Sequence, residues 1–277
     1  MRLIDGRAIA AAIDIGAGAA DRAPVLAPVL AALMPTDDEA ARWYQRSIER
    51  VAAKVGITVR VETLIGADRP MITDRLDALS ADPGVHGIIC QTPLPTGVSL
   101  QDVGAHIAVG KDVDGANPVS LGRLAAGLPA FAPATAAAVV EILRREQVPL
   151  AGTRAVVVGR SVVVGKPVAL LLLAENATVT VCHSRTVGLA EVCAEADVLV
   201  AAVGRAGLIG AGHIKPGAVV IDVGTNPGPG GGLVGDVDAA GADAAAALTP
   251  VPGGVGPVTT MVLMRQVARA AVTCRTT

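Results

Sequence analysis

Short apolar runs alternate with longer helical stretches along most of the chain. In the second half, the predicted elements are strands at 155–158, 177–182, 197–203 and 218–223, helices at 167–174 and 189–195, and a short turn or helix at 213–215. Uninterrupted β-branched runs separated by helices are typical of βαβ units on a parallel sheet whose two faces are both buried. From about residue 150, the sequence therefore predicts a Rossmann-like, doubly wound parallel sheet.

The first half shows the same alternation with less regularity. Its predicted elements are a strand within 25–33, an amphipathic helix at 37–55, a strand at 58–64, a helix at 71–79 and a strand at 85–91. Residues 102–122 are expected to cross between the halves, a helix at 134–146 leads into the second half, and a last helix at 259–273 is expected to fold back on the first. The sequence thus predicts an α/β protein of two α/β domains, 1–122 plus 259–277 and 123–258.

Two segments rich in small residues are given no function. Residues 225–236 are dense in glycine and proline but lack a strand before and a helix after them, so a surface hairpin or loop is predicted rather than a phosphate-binding loop. Residues 238–248 are nearly all alanine, which favours a helix.

Charge and hydropathy limit the class of partner. The net charge is −2 and long basic runs are absent from the sequence, which argues against nucleic acid and anionic lipid as partners. Hydrophobic residues make up 52% of the chain, yet the apolar runs are far shorter than the ~20 residues that a membrane span requires. The start of the chain lacks the pattern of a secretory signal. We therefore expect a cytoplasmic protein that acts on a small molecule and has no membrane or nucleic-acid partner.

The cysteines and histidines give no metal-binding pattern. They are Cys90, Cys182, Cys193 and Cys274, and His86, His106, His183 and His213. None shows the close pairing that zinc sites use, and the cysteines lie in apolar surroundings or near strand ends. Buried thiols and no metal site are the prediction.

A glycine-bearing turn follows the first strand of the second half. Gly159, Arg160 and Ser161 come directly after this strand and Gly165 opens the next helix, a context in which backbone amides and the helix dipole can hold a pyrophosphate. The usual G-x-G-x-x-G spacing is absent, so a turn without function is the alternative.

The end of the following strand indicates which dinucleotide binds. An acidic residue there would bind the ribose hydroxyls of NAD, but the chain carries Ser184 and Arg185 instead. Arg160 and Arg185 could pair with a 2′-phosphate, so NADP is favoured over NAD as cofactor.

At this point the motifs resemble one known family, that of methylenetetrahydrofolate dehydrogenase/cyclohydrolase. The matching motifs are QTPLP at 91–95, KDVDG at 111–115, GRS at 159–161 with GKP at 165–167, HSRT at 183–186, KPG at 215–217 with IDVG at 221–224, GDV at 235–237 and TPVPGGVGP at 249–257. The resemblance extends from about residue 25 to 263 and implies a folate cleft between the two domains, a folate substrate and a homodimer.

The resemblance also implies roles for individual residues. Asp114 would accept the donor pair of the pterin ring, Tyr44 would stack against the folate rings, and Gln91 would face the reacting one-carbon unit. The alternatives are a helix cap or surface turn for Asp114, a core position for Tyr44 and a loop cap for Gln91. Further positions implied at the cofactor are Gly224 and Thr225, and at the substrate Pro252, Gly253 and Gly254, with Gly256 nearby.

Three positions depart from the family: Ala41 and Ala134 stand where the family has a serine and a cysteine, and Ile48 stands where it has a lysine. Family members carry a lysine one helical turn after the tyrosine, where this chain has Ile48, and Arg46 and Arg50 are rotated away from that face. Lysine is the expected acid/base for hydrolysis of the methenyl product, whereas hydride transfer requires mainly correct placement. The prediction is therefore a dehydrogenase with weak or lost cyclohydrolase activity. The alternatives are a fully bifunctional enzyme, in which water or Gln91 manages the proton, and a non-catalytic dinucleotide-binding protein.

Overall fold

The computed structural model describes residues 1–16, 27–228 and 230–273. The strands are β1 (Arg2–Leu3), β2 (Val29–Met34), β3 (Thr58–Thr63), β4 (Gly87–Cys90), β5 (Arg154–Val158), β6 (Thr178–Cys182), β7 (Val198–Ala201), β8 (Val219–Asp222), β9 (Asn226–Pro227), β10 (Leu233–Val234) and β11 (Ala247–Leu248). The α-helices are α1 (Gly6–Ala11), α2 (Glu39–Lys54), α3 (Arg69–Ala81), α4 (Leu100–Gly104), α5 (Pro118–Ala125), α6 (Ala134–Arg145), α7 (Gly165–Ala174), α8 (Leu189–Cys193) and α9 (Val255–Thr273). Short 3₁₀ helices lie at Val109–Lys111, Ala211–His213 and Ala239–Gly241.

The chain forms two compact units. Residues 1–13 and 135–259 make one unit, called here the large-sheet unit, and residues 14–134 and 260–277 make the other, the small-sheet unit. The last helix belongs to the small-sheet unit from residue 260 onward. The units differ from the predicted domains in two segments, because 1–13 belong to the large-sheet unit and 123–134 to the small-sheet unit.

The large-sheet unit is built on a parallel sheet of order β1-β11-β8-β7-β5-β6. The chain leaves β5 for β6 on one side and then returns to β7 on the other side, so the winding direction reverses at β5. In such sheets, ligands bind beyond the carboxyl ends of the strands at the reversal. The predicted α/β fold class with a doubly wound sheet is confirmed.

The small-sheet unit has a parallel sheet of order β3-β2-β4. The central strand β2 is almost completely buried, and Ile72 and Leu76 of α3 pack in the core cluster that contains Leu33. The pairing of Leu33 with Cys90 places the carboxyl ends of β2 and β4 side by side. Residue 91 therefore emerges at the edge of the sheet where parallel strands carry their functional loops.

The predictions for the two small-residue segments had different outcomes. The antiparallel strands β9 and β10 form the predicted hairpin across 225–236, whose Pro229 lies outside the described residues. The predicted helix at 238–248 is wrong, because Ala239–Gly241 forms one 3₁₀ turn and Ala247–Leu248 forms a strand between β1 and β8. Backbone pairing within a buried sheet here overrides the weak helix preference of alanine.

Two elements at the start of the chain were not predicted. β1 pairs with β11, and α1 is capped by Asp5, whose Oδ1 accepts hydrogen bonds from the backbone N–H groups of Arg7 at 3.0 Å and Ala8 at 3.1 Å. Across the described ranges, no helix combines the length and the apolar character needed to cross a membrane.

Candidate active site

Helix α2 presents one buried face to the small-sheet unit. The helix begins after Asp38, whose Oδ1 accepts from the Ala41 N–H at 2.9 Å, and its buried residues are Ala41, Gln45, Ile48 and Ala52. These residues are spaced by four, three and four positions, which is one face of a helix. Ile48 is completely buried.

The arginines near Ile48 lie elsewhere on the helix. Arg46 and Arg50 are both exposed, as the spacing predicts. Neither offers a cation on the face of Ile48, so the buried face of α2 carries an aliphatic side chain at position 48.

Asp112 fixes the loop that carries Asp114. The Asp112 carboxylate is fully buried and accepts hydrogen bonds from the N–H groups of Ala116 at 2.8 Å and Asn117 at 3.0 Å, and from the Ser120 hydroxyl at 2.5 Å. Asp112 therefore fixes the loop that follows Asp114. The motif that contains Asp112 was noted in the sequence, but this role was not recognised.

Asp114 is a partly buried carboxylate with hydrogen-bonding capacity left. Its Oδ1 accepts from the Ala134 N–H at 2.8 Å, at the first residue of α6, so the helix-cap alternative is correct for one oxygen. Among the described residues, none donates to Oδ2 and none forms a salt bridge with Asp114. Burial raises the pKa of this carboxyl to about 6, with a further rise from Asp112 and an opposing effect of the Ala134 N–H.

Tyr44 lies within electrostatic reach of Asp114. Burial raises the pKa of the Tyr44 phenol well above its ordinary value, and the negative charge of Asp114 adds to the rise. In the described part of the chain, the hydroxyl has no hydrogen-bond partner, and no buried side-chain polar atom lacks one, so the hydroxyl is accessible from outside. The structure therefore brings these two predicted residues together, both with open polar atoms.

Gln91 is connected to α2 through a residue that the sequence analysis missed. Its backbone N–H donates to Leu33 O at 2.9 Å, which holds it at the end of β4. Its side-chain Nε2 donates to Gln45 Oε1 at 3.2 Å, and Gln45 Nε2 donates to Glu49 Oε1 at 3.1 Å. The signal for Gln45 was its spacing, because it lies three residues before Ile48 on the buried face of α2.

The turn after β5 has two glycines that packing requires. Gly159 has a φ of +127°, and a Cβ there would lie 2.1 Å from Ala202 O. A Cβ at Gly165 would lie 2.1 Å from Gly159 O. Ser161, which replaces the usual second glycine, accepts at Oγ from the Val164 N–H at 3.1 Å and so caps the turn that leads into α7.

Two unpaired guanidinium groups follow neighbouring strands. Gly159 N donates to Cys182 O at 2.9 Å, so the ends of β5 and β6 adjoin. Arg160 lies two residues after the end of β5, and Arg185 lies three residues after the end of β6. Both arginines are exposed, as is Ser184, and no described residue forms a salt bridge with either arginine. Two cations are thus available at the carboxyl edge of the large sheet.

Asp222 organises the loop after β8. Its Oδ1 accepts from the N–H groups of Gly224 and Asp236, and its Oδ2 accepts from the Val237 N–H, each at 2.9 Å. A Cβ at Gly235 would lie 1.8 Å from Asp222 Oδ2, which excludes any side chain there. Burial raises the pKa of Asp222 to about 6, against the effect of these three N–H groups.

Asp236 has a structural role like that of Asp222. Its carboxylate is fully buried and accepts from the N–H groups of Val203 at 2.6 Å, Gly204 at 3.0 Å and Arg205 at 2.8 Å, and from Asn226 Nδ2 at 2.9 Å. The loops after β7 and β8 are therefore tied together. The sequence placed Gly224 and Thr225 at the cofactor; Gly224 is buried beside Asp236, and Thr225 is exposed.

The structure requires glycine at positions 253 and 254, near the start of α9, for different reasons. Gly253 has a φ of +104°, a conformation that favours glycine, and Gly254 is packed so closely that a Cβ on Gly6 would lie 1.8 Å from Gly254 O. A Cβ at Gly256 would meet open space, and Pro252 is exposed. Gly253 and Gly254 are therefore required by the structure of the large-sheet unit itself.

The cysteines give no sign of a reactive site. Cys182 and Cys193 are buried, as predicted, Cys90 is partly buried, and Cys274 lies outside the described residues. Within the described ranges, no group of three or more His, Cys, Asp or Glu side chains could hold a metal ion.

Two family models together match most of the chain. Residues 4–114 match the tetrahydrofolate dehydrogenase/cyclohydrolase catalytic domain, and residues 133–275 match the tetrahydrofolate dehydrogenase/cyclohydrolase NAD(P)-binding domain. A relative from Parafrankia sp., named bifunctional protein FolD, is 65% identical over 277 residues, which cover 98% of this chain and 99% of the relative.

Solved structures of similar proteins have the same fold. A bifunctional methylenetetrahydrofolate dehydrogenase/cyclohydrolase from Campylobacter jejuni is 33% identical with a TM-score of 0.93, covering 99% of both chains. A methylenetetrahydrofolate dehydrogenase-cyclohydrolase from Trypanosoma brucei, solved with NADP cofactor and inhibitor, is 36% identical with a TM-score of 0.91, covering 98% of this chain and 97% of that one.

Proposed function

Because the chain belongs to the tetrahydrofolate dehydrogenase/cyclohydrolase family, we propose that it oxidises 5,10-methylenetetrahydrofolate to 5,10-methenyltetrahydrofolate with NADP as the hydride acceptor. The observation that carries this proposal is the pair of open polar atoms in the small-sheet unit, Asp114 Oδ2 and the Tyr44 hydroxyl. A buried carboxylate without a cation partner is costly to the folded protein. A ligand that donates hydrogen bonds to it would offset that cost.

The pterin ring supplies such donors. Its ring nitrogen and exocyclic amine form an adjacent donor pair, which a carboxylate accepts with two hydrogen bonds. Asp114 is assigned this role, because the loop around it is fixed by Asp112 and its Oδ2 is free. Tyr44 is assigned to the faces of the folate rings, where an aromatic ring adds stacking and its hydroxyl stays protonated.

The oxidation depends on placement more than on proton transfer. When bound, NADP accepts a hydride from the methylene carbon at its nicotinamide ring. The C–H bond breaks with its electron pair, and the positive charge that remains is shared by the two flanking nitrogens of the folate. No residue of the chain has to remove a proton in this step, so the loss of lysine at position 48 leaves it intact.

NADP is favoured over NAD by the two exposed arginines at the large sheet. Arg160 and Arg185 follow adjoining strands, and neither is neutralised by a described residue. A 2′-phosphate accepts charge-assisted hydrogen bonds from such groups, whereas the diol of NAD does not gain this charge pairing. Gly159, Ser161, Gly165 and Ser184 are assigned to the same cofactor.

One assay tests the dehydrogenase directly. Purified protein is given 5,10-methylenetetrahydrofolate with NADP or NAD, and reduced cofactor and methenyl product are followed separately. We expect both to form in equal amounts with NADP. Binding of NADP without any turnover would instead establish the non-catalytic alternative.

We further propose that cyclohydrolase activity is weak or lost. Hydrolysis of the methenyl cation adds water and moves protons, and general acid/base groups contribute roughly 10²- to 10⁴-fold to such steps. Ile48 is completely buried and cannot transfer a proton, while Arg46 and Arg50 are exposed away from it.

A fully bifunctional enzyme is the second candidate. The relative from Parafrankia, which is 65% identical, is named a bifunctional protein, and this favours retention of both activities. In that case Gln91 or a water molecule would manage the proton. Consumption of methenyltetrahydrofolate well above its uncatalysed rate would establish this candidate.

An exchange at position 48 separates these candidates mechanistically. In Ile48→Lys we expect faster methenyl hydrolysis with little change in hydride transfer, and Ile48→Met serves as the control of similar volume without a proton-transfer group. No gain in a folded Ile48→Lys variant would refute the role given to this position. A cytoplasmic location and a homodimer stay predictions from the sequence.

A further inference from the structure

Gln91, Gln45 and Glu49 form a chain of hydrogen bonds from the end of β4 to the surface of α2. Gln91 and Gln45 are 7% and 4% exposed, whereas Glu49 faces solvent. The Nε2 atoms of Gln91 and Gln45 donate in the same direction, over 3.2 Å and 3.1 Å, toward the Glu49 carboxylate. These hydrogen bonds connect Gln91, a predicted site residue, to the Glu49 carboxylate at the surface.

The carboxylate at the end of the chain sets the direction of every bond in it. An ionised carboxylate can only accept hydrogen bonds, so Gln45 must turn its amide group toward Glu49. The carbonyl oxygen of Gln45 then faces Gln91, which must give its own amide group to it. Gln91 Oε1 is consequently held on the side away from Gln45.

This oxygen is open to a ligand. In the part of the chain that the structure describes, no group donates to Gln91 Oε1, and no buried side-chain polar atom lacks a partner. The oxygen is therefore accessible although the residue as a whole is nearly buried. It is a carbonyl acceptor whose orientation is fixed from behind.

We infer that Glu49, acting through Gln45, fixes the Gln91 carbonyl oxygen toward the one-carbon bridge, where it favours the cationic methenyl form over neutral folates. This inference rests on the proposed function, which brings that bridge to Gln91. As the hydride leaves with its electron pair, positive charge develops on the bridge and its two nitrogens. The negative end of a fixed carbonyl dipole stabilises that charge, whereas a flipped amide would oppose it.

Gln45 and Glu49 are thus positioning residues, and they predict a selective effect. Glu49→Gln removes the constraint, because a glutamine can both donate and accept and so permits both orientations of Gln45. We expect its affinity for 5,10-methenyltetrahydrofolate to fall roughly five- to tenfold, with less than about a twofold change for tetrahydrofolate, which lacks the charged bridge. For the oxidation, kcat should fall while KM for the methylene substrate stays nearly unchanged.

Two further variants provide a second disruption of these hydrogen bonds and a control. Gln45→Leu interrupts the chain directly and should show the same selective loss for the methenyl form. Glu39→Gln removes an exposed carboxylate of the same helix that takes no part in these hydrogen bonds. It should leave the affinities for methenyltetrahydrofolate and tetrahydrofolate unchanged. Fluorescence titration with rapid mixing measures both ligands before any hydrolysis.

The outcomes separate this inference from the proposed function. Equal losses of both folates in Glu49→Gln and Gln45→Leu, or no change in either variant, would overturn the positioning role alone. Failure of the unmodified protein to bind either folate would overturn the proposed function and this inference together.

Discussion

Asp114 in the small-sheet unit and Asp222 in the large-sheet unit are both carboxylates whose pKa is raised to about 6, chiefly by burial. Their hydrogen bonds differ. Asp222 accepts three backbone N–H groups with its two oxygens, whereas Asp114 accepts one and keeps Oδ2 free. The oxygens of Asp222 are thus occupied by hydrogen bonds from its own loops, whereas Asp114 Oδ2 can still accept a hydrogen bond from a ligand.

The comparison teaches that a raised pKa alone does not identify a binding residue. Burial raises the pKa of both carboxyl groups, and a carboxylate that only holds loops together is also buried. The unfilled acceptor is the distinguishing feature, together with the open hydroxyl of Tyr44 beside it. The following substitutions test whether this distinction holds.

The largest effect is expected for Asp222→Ala. Three buried N–H groups lose their acceptor, so the free energy of unfolding should fall by about 3–5 kcal/mol, measured by chemical denaturation. Asp243→Ala, which removes an exposed carboxylate from the same unit, is the control. A loss below about 1 kcal/mol for Asp222→Ala would contradict its structural role.

The next effect concerns ligand binding by Asp114→Asn. The amide keeps an acceptor for the Ala134 N–H but replaces the charged acceptor at Oδ2. Tetrahydrofolate affinity should fall roughly 30- to 100-fold, measured by calorimetric titration, while NADP affinity stays constant. Unchanged folate affinity would mean that the free oxygen faces no substrate.

Arg160→Ala sharpens the comparison within the large-sheet unit, because Arg160 lacks a described partner just as Asp114 Oδ2 does. Removal of the guanidinium should weaken NADP roughly tenfold and NAD by less than about twofold, since only NADP carries the 2′-phosphate. Arg50→Ala, an exposed arginine on α2, is the control. Equal losses for the two cofactors would reject the 2′-phosphate role.

The smallest expected effect is a gain in stability for Asp114→Asn. The pKa of this carboxyl rises from 3.8 to about 6 on folding, so the folded protein holds the proton more tightly than the unfolded chain. Ionisation therefore lowers stability as the pH rises through this interval. The full shift corresponds to ~3 kcal/mol, and solvent screening of this partly exposed carboxyl reduces the effect, so above pH ~7 the variant should be ~1 kcal/mol more stable than the parent. Below pH ~4 the difference should vanish. Lower stability of the variant at high pH would contradict this assignment.

The sequence predicted best the sheet strands of five or six residues that are rich in β-branched side chains. β5 and β6 lie within a residue of their predicted limits, because uninterrupted β-branched runs leave few alternatives. β1 and β11 were missed, since each has only two residues and depends on a partner far away in the chain. Local propensity carries no information about such pairing.

The candidate site was predictable to the extent that single residues match motifs. Tyr44, Gln91 and Asp114 were predicted in this way, and Tyr44 lies close enough to Asp114 for the carboxylate to raise the pKa of its phenol. Gln45 was not found, because its significance depends on Gln91 and Glu49, which only the folded chain brings into contact with it. The mutual support of Asp222 and Asp236 was missed for the same reason.

The pairing of β1 with β11 has a consequence for how the protein is made. The ribosome releases the first strand long before its partner is synthesised, and the whole small-sheet segment from 14 to 134 emerges between them. Sheet completion must therefore wait until β11 has been synthesised, and such long-range pairing slows folding. Until then, β1 has no strand to pair with, and the backbone groups on the side of β8 that β11 will cover form an aggregation-prone edge in the nascent polypeptide.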